Sequence, residues 1–159
     1  MSGAMSRGKG ARGEREIATL LRRHLPEGYR VERFGTGETG HDLRVTPPAG
    51  SSWRWAVEVK RYRGFSVGEV LRGSSRWDAW WDQTQTQAHP GADPLLLTRG
   101  DRRPWWAWVR ETDVTLDETV PRVWLPPSYE RRSLGGVSPH YPIVGVRLDD
   151  LIHHLTETP

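Results

Sequence analysis

The sequence predicts an α/β domain with a central mixed β-sheet flanked by helices. Two observations carry that expectation. Apolar residues fall at helical spacing in Gly13–Leu25 and again in Trp77–Ala88, and short runs of strand character lie between and after these stretches. The resulting order of helix, strands, helix, strands belongs to α/β architectures, in which helices cover the faces of a sheet. A chain of 159 residues without internal repeats suits one domain, read here as residues 13–159 after a flexible, basic arm at 1–12.

The elements follow in order. Met1–Arg12 is rich in Gly and Ser. From Gly13 to Leu25 the residues Ile17, Ala18, Leu20, Leu21 and Leu25 make one apolar helix face, which Pro26 and Gly28 end. Tyr29–Phe34 alternates like a strand. Residues 35–40 form a loop with three glycines, and His41–Val45 is a short strand closed by the Pro47–Gly50 turn. Trp53–Arg61 is the clearest strand of the chain, whereas Ser66–Leu71 has no decisive period. The Trp77–Ala88 helix, with Trp77, Trp80, Trp81 and Thr84 on one side, breaks at His89–Ala92. Pro94–Thr98 and Trp105–Arg110 read as a hairpin turning at Gly100–Arg103. Thr112–Pro142 is an irregular excursion with room for one or two short strands. Ile143–Val146 is a strand, and Leu148–Leu155 a closing helix begun by Asp149 or Asp150.

Composition narrows the chemistry. There is no cysteine, so disulfides and thiolate metal sites are excluded and any metal is held by hard oxygen ligands or histidine. No apolar run reaches membrane-spanning length, and the basic N-terminus lacks the apolar stretch of a signal peptide, so a cytoplasmic protein is expected. The net charge of +3 suits a nucleic-acid partner. Arg7, Lys9 and Arg12 make the first residues basic, as a phosphate-contacting arm or as a solvated tail. Of 23 basic residues only Lys9 and Lys60 are lysines. A compact ammonium with an adjustable pKa is therefore spared for few positions.

Lys60 lies in the stretch that carries the chemistry. Strand alternation puts Ala56, Glu58 and Lys60 on one face and Val57 and Val59 on the other. Asp42 opens the preceding strand, and an antiparallel pairing across the Pro47–Gly50 turn would bring its carboxylate to Glu58. Two adjacent carboxylates repel and raise each other's pKa unless a cation lies between them. Mg2+ or Mn2+ held by Asp42, Glu58 and the Val59 carbonyl would resolve that conflict, polarise a phosphoryl oxygen and acidify a bound water. Lys60 would orient that water and offset charge on the phosphate. Each residue also has a plainer reading. Glu58 and Lys60 could be a surface ion pair, Asp42 a turn residue, and Glu14 a carboxylate favoured at a helix start. Trp77, Trp80 and Trp81 fit core or dimer packing, or stacking on bases.

Asp42 followed by Glu58-Val59-Lys60 on a strand resembles the PD-(D/E)XK nuclease superfamily. The run Gly8–Glu16 leading into a helix is similar to the start of archaeal-type Holliday junction resolvases and related phage nucleases. The likeness extends from about Lys9 to Arg110. It implies a restriction-endonuclease-like core and a further acidic residue from the first helix, matched best by Glu14 with Glu16 as the fallback. It also implies a helix glutamine facing the site, for which Gln83 is preferred over Gln87. Asp42, Glu58 and Glu14 would then hold the metal, and Arg7, Lys9, Arg12, Arg61 and Arg63 would contact DNA phosphates. Branched DNA is the implied substrate, cut by a homodimer because resolution needs two symmetric incisions. Alternatives are a restriction-type or recombination and repair exonuclease acting on linear DNA, and a non-catalytic nucleic-acid-binding module. Two departures stand out: His41 precedes Asp42 where the family often has proline, and Thr36 and Thr39 replace the serine of the resolvase glycine loop.

Overall fold

A computed structural model describes residues 3–34, 41–125 and 142–156, with side chains from Gly10 onward. The glycine loop at 35–40 and residues 126–141 of the irregular excursion lie outside the described residues. Seven strands form one mixed sheet in the order β1-β2-β3-β4-β5-β7-β6. They are β1 (Arg30–Arg33), β2 (Leu43–Thr46), β3 (Trp55–Arg61), β4 (Asp93–Arg99), β5 (Trp106–Arg110), β6 (Arg122–Leu125) and β7 (Ile143–Arg147). Among the described residues only β3 and β4 run parallel, and the other neighbouring strands are antiparallel. A parallel pair needs a crossover. It is supplied by α2 (Val67–Leu71) and α3 (Ser75–Gln87), capped by Ser66 and Ser74 respectively. α1 (Gly3–His24) covers the opposite face, and α4 (Leu148–Leu151) runs into a 3₁₀ turn at Ile152–His154. No helix among the described residues is long and apolar enough to cross a membrane.

Alternation sorts the core into two layers. Val57, Val59, Leu95, Leu97, Ala107 and Val109 face Ile17, Ala18 and Leu21 of α1. Leu96 and Trp108 face Trp77 and Trp81 of α3, whose rings stack at 5.9 Å. The tryptophans at 77 and 81 are therefore core residues. Trp80, by contrast, is only half-buried. Gly145 on β7 lies opposite Trp108, and a Cβ there would sit 2.4 Å from the indole. The glycine is what leaves room for the ring, whose Nε1 donates to Thr98 Oγ1 at 2.7 Å.

Two expectations need correction, one open segment is settled, and one plainer alternative falls away. The segment before Gly13 is not a flexible arm: α1 begins at Gly3. Ala4, Met5, Ala11 and Arg12 are good helix formers that carry the helix through its glycines, each of which costs only about 1 kcal/mol. Ser66–Leu71, undecided from its pattern, is helical behind a serine cap. The closing helix is shorter than expected, with Arg147 as its N-cap; Asp149 and Asp150 sit in its first turn, where the helix dipole favours them. Finally, the Glu58 face of β3 is not a solvent face. Residues 55–59 are all buried, because α1 covers one side and α3 the other.

Candidate active site

The site forms where β2 and β3 part. Their regular pairing is Leu43 with Val57, a register that would set His41 opposite Val59. The Asp42 carboxylate instead accepts the Val59 amide at 2.7 Å, while the Asp42 amide donates to the Val57 carbonyl at 3.1 Å. In extended backbone a residue's N–H and C=O leave on the same side of the strand. The Val59 carbonyl is thus directed to the flank that Asp42 occupies.

Glu58 projects from the other side of β3 into the cover of α3 and is 3 % exposed. Its Oε1 takes two donors, Lys60 Nζ at 2.5 Å and Gln83 Nε2 at 3.0 Å. Gln83 also donates to Gln87 Oε1 at 3.3 Å, so both glutamines considered for this helix lie in one chain of contacts. Glu58 Oε2 is buried and has no hydrogen-bond partner among the described residues. Thr84 is engaged with the Trp80 carbonyl, Thr98 with Trp108 and Asp113 with Arg110, while Arg61 Nε and Arg99 Nε are also buried without an acceptor of their own, on guanidinium groups that pair through their other nitrogens. A buried carboxylate oxygen without a donor is costly and rare in a folded chain. It marks a place suited to a cation.

The electrostatics agree. Burial, then the neighbouring charge of Glu58, pushes the Asp42 carboxyl up to about 7, against the pull of the Val59 amide and Lys60. Burial also raises Glu58, opposed by the hydrogen bond and charge of Lys60. Glu14 acts on both carboxylates as a further negative charge, so it is the helix glutamate nearer the pair. Its own carboxylate is occupied by Arg33, at 2.7 and 3.0 Å. Glu16, the fallback, is bound elsewhere, to Arg99 at 2.7 Å and to Arg61 at 3.8 Å. Among the described residues no three Asp, Glu or His side chains are gathered tightly enough to cage a metal ion. The Asp42–Glu58 pair with its bare oxygen is nevertheless a donor set that fits a hard divalent cation.

The expected phosphate contacts are divided. Arg63 is exposed beyond the end of β3, and Arg12 is exposed beside Glu16 at 3.4 Å. Arg61 differs from expectation: its guanidinium is mostly covered and turned to Glu16 and Asp101, because α1 packs against this end of β3. Gly13 permits that approach, with its Cβ position 3.3 Å from Arg61 Cβ. The side chains of Arg7 and Lys9 lie outside the described residues. Arg33 was missed. It reaches Glu14 from β1, two residues after the buried Val31, and no pattern within that short segment points to the pairing.

A mixed sheet covered by helices on both faces, with Glu58 and Lys60 near the end of a central strand and Asp42 beside them at the start of the neighbouring one, is the α/β restriction-endonuclease-like fold. The family model described as "phage putative PDDEXK endonuclease" matches residues 5–131. That match spans most of the chain, and the protein belongs to this family. No curated protein and no solved structure matches it.

Proposed function

We propose that the protein is a divalent-metal-dependent DNA endonuclease. The observation that carries the reading is the buried Glu58 Oε2, without a partner among the described residues, on a carboxylate that Lys60 holds by its other oxygen and whose charge helps to raise Asp42. Asp42, Glu58 and the Val59 carbonyl would hold Mg2+ or Mn2+, with Glu14 available once Arg33 releases it. Such an ion supplies charge neutralisation at a phosphoryl oxygen and a more acidic bound water. The chain's own residues do the rest. Lys60, fixed by Glu58, presents an ammonium to the phosphate and to the attacking water. Gln83 holds the Glu58 carboxylate in place and keeps a polar contact at the wall formed by α3.

DNA is the substrate that follows from the family, and a four-way junction cut by a homodimer is the form that follows from the likeness of the N-terminal segment to resolvases. Cleavage of a junction, a linear duplex and a single strand by the same preparation with Mg2+ distinguishes these forms. Equal rates on all three remove the junction reading. Asp42→Asn and Lys60→Ala should each lower cleavage by about 10²-fold or more, with circular dichroism unchanged. Wild-type activity in Asp42→Asn would overturn the assignment.

A further inference from the structure

One of the exposed aromatic side chains stands next to the charged site. Tyr62 is 39 % exposed. It follows Lys60 by two residues and Glu58 by four, so it continues their face of the strand, about 7 Å beyond Lys60. Its amide donates to the Arg99 carbonyl at 3.0 Å, and its carbonyl accepts from Phe65 at 3.0 Å, so the backbone beneath the ring is pinned on both sides. Gly64 leaves room for the ring, since a Cβ there would lie 3.2 Å from Tyr62 Cε1.

Trp80 stands across from it. The two rings meet at 6.2 Å with an interplanar angle of 67°, forming a corner, and the buried Phe65 backs the indole at 6.2 Å. Trp80 lies one turn before Gln83 on α3, on the same side of the helix, and Gln83 contacts Glu58. The corner is therefore built from the two elements that also carry Glu58, Lys60 and Gln83. The exposed Arg76 lies over the Tyr62 ring, 4.0 Å from its centroid. No acidic partner for it is found among the described residues. Arg76 also lines a cavity of about 360 Å³ with Arg72, Ser74 and Ser75, next to Glu69.

We propose that Tyr62 and Trp80 form a stacking platform for an unpaired base of a DNA strand entering the active site, with Arg76 and Arg72 taking the phosphates of that strand. This rests on the nuclease reading above and narrows its substrate to DNA with single-stranded or unstacked nucleotides at the cut. A base replaces the Arg76 guanidinium on the Tyr62 face, and the freed guanidinium stays close enough to pair with the adjoining phosphate. An aromatic face accepts any base, so the platform selects strand state rather than sequence.

The experiment measures binding apart from cutting. Fluorescein-labelled oligo(dT) and a duplex of equal length are titrated in EDTA with the full-length protein and with its Tyr62→Ala, Tyr62→Phe and Trp80→Ala variants. Tyr62→Ala should weaken single-strand binding about tenfold, leave duplex binding within about twofold, and be rescued by Tyr62→Phe. Trp80→Ala should act in the same direction, with helix content checked by circular dichroism. Unchanged single-strand affinity in Tyr62→Ala overturns the proposal, as does equal weakening on duplex or failure of the wild type to bind single strands. Cleavage of a junction by the wild type is followed in parallel. Cutting that persists while the stacking effect is absent removes the platform alone. A stacking effect without any metal-dependent cutting removes the nuclease reading and leaves a binding surface.

Discussion

Replacing Asp42 by Asn should stabilise the metal-free protein at alkaline pH while destroying its activity. Asn retains an oxygen that can accept the Val59 amide, now held by Asp42 at 2.7 Å, so the hydrogen bond survives and only the charge is lost. The Asp42 carboxyl stands at about 7 against an ordinary 3.8. The folded chain therefore binds more protons than the unfolded chain between those values. Stability then falls as pH rises through that window, and the full penalty is present above it. A gap of about three units corresponds to roughly 4 kcal/mol. Partial exposure of the group reduces this, so about 2–4 kcal/mol is expected, or a rise of roughly 4–16 °C in Tm for Asp42→Asn. Urea unfolding in EDTA at pH 4 and pH 8 measures it. The variant should match the wild type at pH 4 and exceed it at pH 8, and Mg2+ should stabilise only the wild type. A variant less stable than the wild type at pH 8, or a difference independent of pH, refutes the reasoning.

Two further outcomes concern other parts of the molecule. Gly145→Ala places a Cβ 2.4 Å from the Trp108 ring in a fully packed layer, and the urea midpoint should report a loss of about 1–3 kcal/mol; an unchanged midpoint would show that the indole moves freely. Arg33→Gln removes the cation that now occupies Glu14, and calorimetry should show Mn2+ binding tightened severalfold. Adding Glu14→Gln to that variant should cancel the gain.

Much of this was readable in the chain, and the divisions are instructive. The alternation of β3 and the placing of Asp42 on its antiparallel neighbour were legible because they depend on spacing within one segment. That Gln83 and Gln87 share a helix face was legible in the same way, whereas the contact of Gln83 with Glu58 was implied by the family likeness and not by the spacing. The burial of Glu58 was not legible, since a strand covered on both faces and one covered on a single face both contain alternating valines, and only the crossover through α3 decides between them. The pairing of Arg61 with Glu16 and of Arg33 with Glu14 joins segments far apart in sequence, and no local pattern encodes it. The start of α1 was misplaced because glycine content was read as disorder. The helix former residues between the glycines and the close packing of Gly13 on β3 were the better guide.

The parallel seam between β3 and β4 also has a kinetic consequence. β1, β2 and β3 join through short connections and can pair early, which brings Asp42 and Glu58 together while Glu58 still faces water. The lid over Glu58 arrives only when the chain from Tyr62 to Ala92 closes its loop and β4 docks. That is a long-range step, slow because loop entropy is lost before contacts form. Dehydration of the Glu58 carboxylate therefore accompanies that closure, not the pairing of β1, β2 and β3. Stopped-flow refolding should therefore slow as pH rises and quicken when a divalent cation is present, because the same buried carboxylate is harder to enclose once it is charged.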